Sequence, residues 1–201
     1  ADMVQRNEAI VFEAVAGTYT TTLNANSSLI TDSTRNVTYR PAAGSEHGGQ
    51  AGAGVIIDTG ASNIPVLISD DFVVVDGLNL TTTTTNCAWV QGAGTVMRNC
   101  IASASDRGFM IYGGSVTAPN VLENCVGSGG SSHAFYVLGG GPQSADAHAK
   151  IGNCTGSSNG NDAFRTQATA GGTSATAEYT NCVGLSSLTH QAVGSFATAT
   201  G

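Results

Sequence analysis

Charge is what this 201-residue chain has least of: 10% of its residues are Asp, Glu, Lys or Arg, against about 25% in an ordinary soluble domain. Seven basic residues stand against fourteen acidic ones, a net charge of −7. With no basic run to neutralise phosphates, nucleic acid is excluded as an expected partner, and an anionic membrane surface is disfavoured. No stretch approaches the roughly 18 apolar residues of a membrane-spanning helix. The opening Ala1-Asp2-Met3-Val4-Gln5-Arg6 lacks the basic and apolar regions of a signal peptide. It reads as a start left by loss of an initiator methionine, or as a processed secreted one. The five cysteines show no CxxC spacing, so there is no zinc or thioredoxin signature, and the odd count leaves at least one thiol without a partner in the chain. Helical periodicity is also missing, because Gly, Thr and Asn recur too often for a 3.6-residue stripe.

What is present is repetition. Every cysteine follows an asparagine, at Asn86-Cys87, Asn99-Cys100, Asn124-Cys125, Asn153-Cys154 and Asn181-Cys182. The last four dyads recur every 25–29 residues, each leading into a small-residue stretch such as Val126-Gly127-Ser128 or Thr155-Gly156-Ser157. A second row keeps step with them: Trp89, Phe109, Phe135, Phe164 and, in the last unit, Val193. Each is preceded by a small residue (Ala88, Gly108, Ala134, Ala163, Ala192), and Asp76 extends the asparagine row backwards. A fixed period with one polar identity held at one position is the signature of a solenoid. The 27 glycines and the many Ser, Thr and Ala suit short strands joined at tight corners.

Strand alternation with period two assigns the faces. Met97, Leu122, Ile151 and Tyr179 stand two before the asparagines, and Ile101, Val126, Thr155 and Val183 two after. Both rows suit an interior, so the expectation is an inward column of Asn99, Asn124, Asn153 and Asn181. A parallel inward column of Trp89, Phe109, Phe135 and Phe164 is expected beside it. The cysteines are then expected to face outward or to sit at the bend.

With these two ladders, the opening Ala16-Gly17-Thr18-Tyr19-Thr20 and the strand Asn36-Val37-Thr38-Tyr39-Arg40, the chain resembles the right-handed parallel β-helix proteins, the pectate-lyase-like superfamily. The resemblance covers roughly residues 10–197. It implies an all-β solenoid of about six to seven coils, with residues 1–9 as an N-terminal cap and 10–201 as one domain. That fold carries lyases, esterases, hydrolases, adhesins and inert virion parts, so it does not choose a function.

One polar row precedes the small–aromatic pairs: Cys87, Arg107, His133, Asp162 and Gln191. His133 and Asp162 on adjacent coils, with Arg107 one coil away, are the best catalytic candidates. The plainer reading is a solvent-facing row free to vary. The lyases it resembles need several carboxylates for calcium, and a hydrolase needs paired acids. Here the acids are dispersed, with Asp70-Asp71 the only pair. Four cysteines in one column do not form a tetrahedron, so no metal and no cofactor is expected. The glycine-rich segments 139–144 and 170–174 read as loops. The leading expectation is a non-enzymatic virion component, a bacteriophage capsid decoration protein or short spike or fibre piece, forming a homo-oligomer (a trimer is favoured) on a larger shell. A polysaccharide-active enzyme or extracellular glycan-binding module is the alternative.

Overall fold

A computed structural model describes residues 2–26, 28–140, 146–169 and 173–186, and the backbone alone of 197–200. Gln191, Ala192 and Val193, with parts of both predicted loops, lie outside these residues. After one helical turn, α1 (Met3–Arg6), the chain winds three short strands per coil. The first coil is β1 (Ile10–Ala14), β2 (Gly17–Tyr19) and β3 (Leu23–Ala25), and the second is β4 (Val37–Pro41), β5 (Val55–Asp58) and β6 (Val66–Ile68). The third is β7 (Val73–Asp76), β8 (Asn79–Thr82) and β9 (Ala88–Val90), and the fourth β10 (Val96–Arg98), β11 (Ile101–Ala104) and β12 (Phe109–Ile111). Then come β13 (Asn120–Glu123), β14 (Val126–Gly129) and β15 (Phe135–Gly139), followed by β16 (Ala147–Gly152), β17 (Thr155–Ser158) and β18 (Phe164–Ala168). A seventh coil begins with β19 (Ser174–Thr180) and β20 (Val183–Ser186). Corresponding strands stack in parallel into three sheets, giving a right-handed parallel β-helix of six to seven coils. Among the described residues only β21 (Ala197–Thr200) runs antiparallel, against β19.

The aromatic column is real but shorter than expected. Phe109, Phe135 and Phe164 pair in register and lie buried. Their rings stack at 4.9 and 4.8 Å with interplanar angles of 12° and 5°. Trp89 is not part of it: Ala88 pairs with Phe109, and Trp89 pairs with Met110 on the opposite face. The physical reason is the period of two, since a shift of one residue moves a side chain through the wall. The stacked rings take the space beneath the next sheet. A Cβ on Gly127 would sit 2.9 Å from the Phe135 ring, and one on Gly156 would sit 3.1 Å from that of Phe164.

The asparagine column is overturned. Asn99, Asn124, Asn153 and Asn181 are exposed, and the cysteines beside them face the core. All four asparagines sit at the corner between the first and second sheets with φ of 50–54°, in the left-handed region. One such residue turns the chain, so two successive side chains (Arg98 and Asn99) point outward before Cys100 points in. Asparagine tolerates this conformation better than other residues with a Cβ. In the third coil the corner residue is Gly77, φ 69°, because Asp76 pairs with Arg98. Downstream faces invert as well. Val126, Thr155 and Val183 are outside, while Ala102, Gly127 and Gly156 are inside.

Cys100, Cys125, Cys154 and Cys182 therefore line the inner corner, in a row begun by buried Leu78. None of the five cysteines forms a disulfide. Each thiol of the column donates to carbonyls of its own coil and the one before it. Cys125 Sγ reaches the Glu123 and Met97 oxygens at 3.4 and 3.5 Å. Outside the wall the asparagine amides form a broken ladder, with Asn99 Nδ2 on Asp76 Oδ1 at 2.8 Å and Asn181 Nδ2 on Asn153 Oδ1 at 3.3 Å.

Candidate functional site

The third sheet, of β3, β6, β9, β12, β15 and β18, carries the predicted candidates on its outer side. The corner preceding its strands places Asn86, Arg107, His133 and Asp162 on successive coils. Asn86 stands in the first slot rather than Cys87, since Arg107 Nη1 lies 3.5 Å from Asn86 Oδ1. Cys87 is buried, and burial pushes its thiol up to about 12.

His133 and Asp162 are brought together, but through the backbone. His133 Nδ1 lies 2.9 Å from the Asp162 carbonyl oxygen. A carbonyl only accepts, so Nδ1 carries the hydrogen and Nε2 is left with its lone pair. Burial of the imidazole holds its pKa below the ordinary histidine range. The Asp162 carboxylate instead faces Arg165 Nη1 at 3.4 Å, and that of Asp106 faces Arg107 Nη1 at 2.6 Å. Both carboxylates are thus engaged by guanidinium groups, and the His133 ring is oriented by a backbone carbonyl rather than by a carboxylate.

Around this row lies an aromatic strip that the sequence reading missed. Trp89 and Tyr112 rings sit 5.1 Å apart on adjacent coils. Tyr136 is flanked by the Arg107 guanidinium, 5.4 Å from its centroid, and by the His133 ring at 4.7 Å. Its hydroxyl donates to Gln167 Oε1 at 2.8 Å, and Arg165 Nε donates to the same oxygen at 3.2 Å. Trp89 Nε1 and Arg107 Nε are buried without a hydrogen-bond partner. The signal was available: Tyr136 follows inward Phe135, so alternation puts it outside. Chemically the strip offers π-faces, a guanidinium and an amide as binding groups.

The second sheet, of β2, β5, β8, β11, β14, β17 and β20, presents a different outer face. From β11 to β20 its outward positions are Ile101, Ser103, Val126, Ser128, Thr155, Ser157, Val183 and Leu185, all uncharged. Val126, Val183 and Leu185 are 46%, 55% and 60% exposed. Among the described residues no group of three or more His, Cys, Asp or Glu converges as a metal site, and no helix is long and apolar enough to cross a membrane. Comparison with known proteins finds no family model, no curated protein and no solved structure that matches the chain.

Proposed function

We propose that this chain is a non-enzymatic structural module that reinforces a larger symmetric assembly, with a bacteriophage virion as its setting and kinship to the pectate-lyase-like β-helices as its origin. The observation that carries the reading is the outer face of the second sheet. Three exposed apolar side chains, Val126, Val183 and Leu185, stand among serines and a threonine with no charge in the two rows. A parallel sheet with such a face gains free energy when another surface covers it. A specific contact needs about 800 Å² per partner, more than one short row supplies, so attachment would extend beyond these three residues. The pairing of Asp106 and Asp162 with arginines supports a binding role over an acid–base one.

The test has two parts. Light scattering of the purified chain should give a multiple of the monomer mass, three copies being favoured, and Val183→Ser with Leu185→Ser should lower it. Peptide mass spectrometry of purified virions should find the chain in them. A monomer at every concentration, or particles that lack the chain, would sink the corresponding half. The aromatic strip favours a second reading, a glycan-binding module. Polysaccharide binding or cleavage lost on Trp89→Ala would support that instead.

A further inference from the structure

We propose that the thiol column is a binding site for soft monovalent d10 metal ions, such as Cu(I) or Ag(I), each held linearly between the sulfurs of two adjacent coils. The register makes the column straight. Arg98, Glu123, Gly152 and Thr180 pair in sequence on one side of the corner, and Ile101, Val126, Thr155 and Val183 on the other. Each cysteine between them therefore lies one coil, about 4.8 Å, beyond the last. A single column cannot supply the four corners that structural zinc demands, which agrees with the absence of any converging group of three ligands among the described residues. Two ligands in line suit an ion that is satisfied by two. With the zinc–thiolate length of about 2.3 Å as a scale, two metal–sulfur bonds laid end to end span about 4.6 Å, close to the coil spacing. Thiolate softness favours Cu(I) and its congeners over Mg or Ca.

The column also has a way in and a limit. Cys100, Cys125 and Cys154 are sealed, whereas Cys182 at the far end is only partly buried. Cys154 and Cys182 thus form the entry pair, and Cys100 with Cys125 the inner one. Cys154 Sγ is already an acceptor, taking the Cys125 backbone N–H at 3.4 Å. Cys87 stands apart, its thiol donating to the Leu80 and Ser103 carbonyls at 3.3 and 3.1 Å, and takes no ion. On binding, two thiols release their protons to solvent and two sulfur–metal bonds form. No oxidation state changes, and each complex carries one negative charge.

The experiment is titration of the reduced, folded chain with Ag(I), followed by native mass spectrometry and far-ultraviolet circular dichroism. Saturation is expected at two ions per chain, each accompanied by loss of two protons, with the β-sheet spectrum unchanged and no uptake of Zn(II) at the same concentration. Cys154→Ala with Cys182→Ala should saturate at one. Any other wild-type stoichiometry, uptake that follows loss of the β-sheet spectrum, equal retention of Zn(II), or a double variant that still takes two would overturn the proposal. Should the variant not fold, the wild-type stoichiometry and the Zn(II) comparison decide alone.

Discussion

Asn124 and Cys125 are neighbours in the chain that lie on opposite sides of the wall, the amide in solvent and the sulfur in the core. What separates them is the left-handed backbone of Asn124, φ 52°. For most residues with a Cβ that conformation costs about 1–2 kcal/mol, and glycine adopts it freely. Asn124→Gly should therefore leave stability close to the parent. Asn124→Ala should lose about 1 kcal/mol and Asn124→Val more. Urea denaturation of the three variants checks the order; Ala more stable than Gly would contradict it.

Phe135 is clasped by Phe109 and Phe164 on both ring faces. Phe135→Ala should cost about 3–5 kcal/mol. Trp89→Ala, on the outer side and half-buried, should cost less. Equal losses in thermal unfolding would return Trp89 to the core column.

The buried His133 imidazole holds its pKa below the ordinary value, with burial as the main cause. Between the folded and the unfolded pKa, the unfolded chain binds the extra proton. Stability then rises with pH across that window and falls as pH drops below about 6.5. His133→Asn should flatten this part of the profile. Melting temperatures between pH 5 and pH 8 provide the check, and an unchanged slope would assign it elsewhere.

Continuity of the coil stack, rather than covalent staples, holds the rod, since all five thiols are free. Thiol titration in denaturant without reductant should count five. Added reductant should leave the melting temperature where it was. A count of one, with a large loss on reduction, would show that the column pairs.

The solenoid was legible because each coil spends one residue on the same corner, and asparagine holds that place four times. The faces were not, because a left-handed residue breaks the period of two on which they were read. Gly77 at that corner was the missed signal, as glycine and asparagine share little except tolerance of that conformation. Aligning Asp76 with the asparagines placed that corner one residue too early, and aligning Trp89 with the phenylalanines placed the third-sheet strand one residue too late, two slips in opposite directions. For His133 and Asp162 the proximity was readable from the period. The contact was not, since a backbone carbonyl at position 162 is present whatever side chain stands there.

Along the inner row of the third sheet the rings stop at Phe109. The next places are Ala88, Val66 and Leu23. That row is consequently graded along the rod, with stacked rings in coils four to six and aliphatic contact in coils one to three, where the aromatic pair Phe12 and Tyr39 stacks in the first sheet instead. Pulled from both ends, it should yield from the N-terminal side, shedding coils in order until the advancing break reaches Phe109 and the force needed to go on rises.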